Sequence, residues 1–133
     1  MRFRSLALAA IAACGSALAD ATPSKTTKPQ FQRALPNVDG KTFSSAIVDF
    51  PPGAKAAPHR HGQAFVYAYV LQGAVRSQLD DEAAKVYRSG QDWFEPPGAR
   101  HKLTENVSNT QPARLLVIFI GNTGDPLKTP DSE

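Results

Sequence analysis

The chain has 133 residues, enough for one compact domain and too few for a two-domain enzyme with its own nucleotide-binding half. Its hydrophobic and charged fractions, 41% and 20%, are those of an ordinary globular protein, and a net charge of +3 is a weak argument for nucleic acid or membrane binding. A single cysteine excludes a cysteine-ligated zinc or iron–sulfur site, so any bound metal must rest mainly on the three histidines.

Residues 1–19 read as an export signal. Arg2 and Arg4 form a short basic start, Leu6 to Ala13 is an unbroken apolar run, and Ala17-Leu18-Ala19 offers small residues where a signal peptidase cuts. The apolar run is too short to span a bilayer. Ile11-Ala12-Ala13-Cys14 resembles the lipobox of bacterial lipoproteins, and lipidation at Cys14 is the one route to a membrane. Cleavage after Ala19 is favoured over that route, and a buried N-terminal helix is the plain alternative. Removing 19 of the 133 residues leaves 114, with no cysteine; Arg2 and Arg4 depart as well, taking the net charge from +3 to +1. The expected destination is the periplasm or the cell exterior.

Residues 20–40 are polar, with Pro23, Pro29 and Pro36, and read as an extended leader. Residues 41–122 carry the domain. Strand signals run over Ser45–Phe50, Phe65–Leu71, Ala74–Leu79, Lys85–Arg88, Asp92–Glu95, Leu103–Val107 and Arg114–Ile120, each closed by Gly, Pro, Asn or Asp. A strand about every ten residues, without a long helical period, predicts an all-β sandwich or closed barrel. Residues 123–133, with Pro126 and Pro130, read as a loose tail.

The tripeptide Pro-Pro-Gly occurs twice, at 51–53 and 96–98, each time shortly before histidine. His59 and His61 stand two apart, which on a strand puts both side chains on one face. His101 is the remaining histidine and follows the second tripeptide. Three unrelated surface or core histidines are the bland account. A His-x-His pair entering a β run, with the third histidine at a matching turn, favours a shared metal ion.

The stretch from Gly53 to Gly73 resembles the first cupin motif, with Gly53, His59, His61 and Gly73 in its slots and Val66 where the motif has glutamate. Gly90, Pro96, Gly98 and His101 fit the second motif, with Glu105 in the asparagine slot and Asn106 beside it. The chain is similar to small secreted or periplasmic single-domain cupins of bacteria. That resemblance implies a small β-barrel of two sheets, the jelly-roll type called a double-stranded β-helix. It implies a metal inside, held by His59, His61 and His101. Ferrous iron is favoured, and Zn2+, Mn2+, Ni2+ or Cu2+ also suit imidazole.

Val66 cannot coordinate a metal. One remedy is a three-histidine site with open positions. The other is a carboxylate from elsewhere, and Glu95 is the candidate. Strand alternation over Asp92-Trp93-Phe94-Glu95 puts Trp93 and Glu95 on one face, and an inward carboxylate is costly unless paired or metal-bound. Glu95 is thus a ligand or a general base, against the alternatives of escape to solvent or pairing with Arg100.

Tyr67 and Tyr69 share a face that lines a pocket or packs in the wall, and Trp93 is a stacking platform or plain core. Arg60 and Gln63 flank the histidines, and Arg88, Arg100 and Arg114 are available to an anionic substrate, although surface charge is their default. The leading function is metal-dependent, oxygenase-type chemistry on a small organic molecule. The rivals are a non-catalytic module that binds a small ligand or a metal, and a structural homodimer subunit.

Overall fold

The computed structural model describes residues 22–131. The export signal and Cys14 lie outside the described residues. In chain order the strands are β1 (Thr26–Ala34), β2 (Lys41–Phe50), β3 (Lys55–Ala56), β4 (His59–Arg60), β5 (Phe65–Gln72), β6 (Ala74–Leu79), β7 (Lys85–Arg88), β8 (Asp92–Glu95), β9 (Arg100–Asn106), β10 (Ala113–Asn122) and β11 (Thr129–Pro130). No helix occurs among the described residues.

Two antiparallel sheets result. One has the order β1-β2-β10-β5-β8 and the other β11-β4-β9-β6-β7, with β3 also on β9. The first sheet turns an apolar face inward. In β2, β5 and β10 every second residue is buried, including Val48, Phe50, Val66, Ala68, Val70, Leu115, Val117 and Phe119. This period of two is the pattern a half-buried strand needs. The second sheet buries Val75 but also His59, Ser77, His101 and Thr104. The space between the sheets therefore has an apolar wall and a polar one.

Three local features bring the histidines together. His59 is the direct cross-strand partner of His101 in the β4–β9 pair. The two Pro-Pro-Gly turns have glycine at positive φ, +71° at Gly53 and +81° at Gly98, where other residues are strained. The second turn is tied to the His59–His61 segment: the Gly98 N–H donates to the Gly62 carbonyl at 2.7 Å, and Arg60 Nη1 donates to the Gly98 carbonyl at 2.9 Å. Finally, the β6–β9 register slips between Gln78 and Leu79, so that Leu103 and His101 are consecutive partners and Lys102 is extra. Such a bulge reverses the alternation, and Thr104 joins His101 on the inner face.

Both flanks differ from the sequence reading. The leader is a sheet strand: its residues 26–34 pair along β2 from Thr26↔Asp49 to Ala34↔Thr42. All nine are exposed, so their polar character reflects an uncovered strand rather than a linker. The tail is anchored. Thr129 and Pro130 pair with Arg60 and His59, the Asp131 N–H donates to the Pro58 carbonyl, and the Asp131 carboxylate binds Arg60 and Arg100. Main-chain pairing of this kind leaves no hydrophobic pattern to read.

Candidate metal centre

A cavity of about 490 Å³ lies between the sheets, and His59, His61, Glu95 and His101 line it. The three imidazoles offer ligand atoms within 4.8 Å of one another. Ring centroids are 4.7 Å apart for His59 and His61, and 5.0 Å for His59 and His101.

Hydrogen bonds fix which ring nitrogens are free. His59 Nδ1 lies 2.7 Å from the Ala57 carbonyl, and His61 Nδ1 lies 2.6 Å from the Leu127 carbonyl. A carbonyl only accepts, so both Nδ1 atoms carry the proton and both Nε2 atoms present a lone pair. His101 is held at its other end. Its Nε2 is 2.8 Å from both Ser77 Oγ and Thr104 Oγ1, and its Nδ1 is 3.0 Å from Glu95 Oε1. Hydroxyls donate and accept, so Ser77 and Thr104 steady this ring whichever nitrogen bears the proton.

Burial favours the neutral form of His59 and His61. It holds His59 down to about 4 despite the Ala57 hydrogen bond, and it lowers His61 despite Leu127 and Glu95. Neutral imidazole is the form that ligates metals.

Glu95 supplies the negative charge. The residue is 3% exposed. Burial pushes its carboxyl up, but the hydrogen bond and charge of His101, with His61 and Trp93, outweigh this and hold it below the ordinary range. Oε1 accepts from Trp93 Nε1 at 3.2 Å. Oε2 is buried without a hydrogen-bond partner, 3.6 Å from His61 Nε2. Two acceptors thus face each other in a buried site, an arrangement that a cation between them relieves. With metal–ligand bonds of about 2.0–2.2 Å, neighbouring ligands on one ion lie roughly 3–3.5 Å apart, close to this separation. The donor set of three imidazoles and one carboxylate fits a divalent transition metal.

Comparison with known proteins agrees with this architecture. Residues 46–119 match the cupin domain family. The chain belongs to that family. Germin-like protein 3-1 of Oryza sativa subsp. japonica is 31% identical over 87 residues, covering 62% of this chain and 38% of that protein. A recombinant oxalate oxidase solved in complex with glycolate is 27% identical, with a TM-score of 0.57 over 66% of this chain and 45% of that chain. The cupin domain of Schizosaccharomyces pombe Cnp3 has a TM-score of 0.62 over 74% of this chain and 62% of that chain; at 16% identity the likeness is one of fold alone. The cupin spans less than two thirds of the length of each of these relatives.

The other residues singled out by sequence separate cleanly in this cupin. Trp93 lines the cavity and supports Glu95. Tyr67 and Tyr69 do not line it: the Tyr67 hydroxyl donates to Asp92 at 2.8 Å on the outer face of the sheet. Arg60, Gln63, Arg88, Arg100 and Arg114 also stand outside the lining. Arg60 and Arg100 hold the tail, and Arg114 pairs with Asp49 at 2.6 Å. The second-motif asparagine slot contains Glu105, paired with Lys55 at 3.0 Å and with Arg76. Asn106 is the neighbour that braces the barrel, donating to the Phe50, Pro51 and Gln111 carbonyls. Sequence reasoning missed Ser77, Thr104 and the Leu127 carbonyl. The bulge at Lys102 and the anchoring of the tail bring them in, and neither leaves a motif.

Proposed function

We propose that this cupin is a metal-dependent enzyme of the oxygenase type acting on a small organic molecule held in the cavity. The observation that carries the reading is the confrontation of Glu95 Oε2 with His61 Nε2, inside a cluster whose other imidazoles also converge. His59, His61 and His101 would hold the ion, and Glu95 would be its fourth donor through Oε2. Ferrous iron is the ion we favour, and manganese or zinc would suit the same donors. When bound, such an ion supplies a Lewis-acidic centre with positions open to substrate and oxygen.

The protein's own contribution follows from its contacts. The Ala57 and Leu127 carbonyls orient His59 and His61, while Ser77 and Thr104 orient His101. Trp93 holds Oε1 of Glu95 and leaves Oε2 to the site. The carboxylate offsets part of the ionic charge in a buried setting. The apolar wall of the opposite sheet limits water and receives the body of the substrate. The likeness to an oxalate oxidase solved with glycolate supports chemistry on a small organic molecule in such a barrel. The export signal read in residues 1–19 would place this chemistry outside the cytoplasm.

The test is oxygen uptake by iron-loaded protein across a panel of diketones, thiols, phenols and organic acids. Uptake above background with at least one compound, abolished in His59→Ala, is expected. Background uptake throughout, with iron bound, would leave a non-catalytic binding module.

A further inference from the structure

The cavity has a second charged end. Lys25, just before β1, and Lys128, just before β11, both line it. Lys25 is half-buried and Lys128 is exposed, whereas His59, Glu95 and His101 are buried, so the lysines mark the outer end. Val48, Phe50, Leu115, Val117, Phe119 and Leu127 give the same cavity its apolar lining, and the charge of Lys128 is felt at His59 and His61.

Among the described residues no acidic group pairs with the two ammonium groups. Lys25 Nζ donates to Thr27 Oγ1 at 3.0 Å. Glu95 is the one acidic residue of the lining among the described residues. Burial, joined by the charge of Lys128, lowers the pKa of Lys25. Like charges held together beside a cavity without a counter-ion favour an anion between them.

We propose that Lys25 and Lys128 clamp the carboxylate of a small organic acid whose apolar body fills the cavity and whose far end reaches the histidines. Contact with the far end rests on the metal-centre reading above; the clamp does not. The substrate class becomes an amphipathic organic anion, with one end for the ammonium pair and one for the ion. The arginines that sequence offered for this purpose are committed elsewhere or lie outside the cavity. Lys25 and Lys128 stand in segments read as leader and tail.

The experiment compares hexanoate with hexanamide, which match in shape and differ in charge. Trp93, the single tryptophan, lines the cavity and reports binding by its emission. Full-length protein is titrated metal-loaded and after chelation, at low salt, with metal content measured in parallel. Wild type should bind hexanoate roughly tenfold tighter than hexanamide, since two partly exposed ion pairs each contribute a few-fold. The Lys25→Met/Lys128→Met variant should keep its metal and lose most of that preference, and Lys128→Glu should weaken hexanoate further.

Equal binding of the two probes by wild type would overturn the clamp. So would a preference that survives in the double variant, because the ion alone would then attract the anion. If the protein takes up no metal, the metal-centre reading fails, and the chelated titration still judges the clamp.

Discussion

Val66 and Glu95 are direct cross-strand partners in the β5–β8 pair, and both side chains are buried on the inner face. Val66 occupies the glutamate slot of the cupin motif. Directly opposed residues have Cβ atoms about 4.5–5.5 Å apart, so a carboxylate can be relocated by one strand and still face the same histidine cluster. This relation gives Glu95 a reason to be buried.

A ligand transplant tests the relation. Glu95→Val should weaken metal retention by more than the roughly 10–100-fold typical of losing an outer-shell partner. The Val66→Glu/Glu95→Val pair should recover most of the loss, because it returns the carboxylate to the usual slot. Chelator competition measures both. A double variant as weak as Glu95→Val would show that the two positions are not equivalent.

Anchoring of the tail should be felt at the metal. The Leu127 carbonyl holds His61 Nδ1, and Asp131 holds the tail through Arg60 and Arg100. Asp131→Ala should lower metal affinity about tenfold while moving the urea midpoint little. An unchanged affinity would mean that β11 pairing alone positions Leu127.

Ser77 and Thr104 share one ring nitrogen of His101. Ser77→Ala and Thr104→Val should each have a small effect on metal affinity, since the remaining hydroxyl still meets Nε2. The double variant should lose more than the two effects combined. Strict additivity in the competition assay would argue that the hydroxyls act separately.

The fold and the histidine cluster were legible in the sequence because they rest on side-chain pattern. Alternation in β2, β5 and β10 follows directly from one buried face, and the three histidines announce themselves by spacing. Alternation placed Glu95 on one face with Trp93, and only the cupin resemblance suggested that this face turns inward. The orphaned Oε2 of Glu95 was not legible, since that depends on which groups the opposite sheet brings to it. Lys25, Thr104, Leu127 and Lys128 were illegible for a common reason. Each is placed by backbone pairing or by a bulge, and main-chain hydrogen bonds carry no side-chain signature.

Acid should destabilise the metal-free protein. Native His59 is held down to about 4, against 6.5 for an unperturbed histidine, and His61 is shifted the same way. Between those values the unfolded chain binds more protons than the native one, so stability falls as pH drops through the window. Glu95 is also lowered from 4.5, which extends the loss to lower pH as its carboxylate is finally protonated. Urea midpoints of chelated protein should decline from about pH 6.5 to about pH 4, with a shallower slope in His59→Gln. A flat profile over that range would contradict the burial of neutral histidines.

The most direct test is the metal content of tag-free protein from its native compartment, measured by elemental analysis beside Glu95→Gln and His59→Ala. The account predicts about one transition-metal ion per wild-type chain, clearly less in Glu95→Gln, and almost none in His59→Ala. Wild-type protein that carries no metal and takes none up after reconstitution would contradict it.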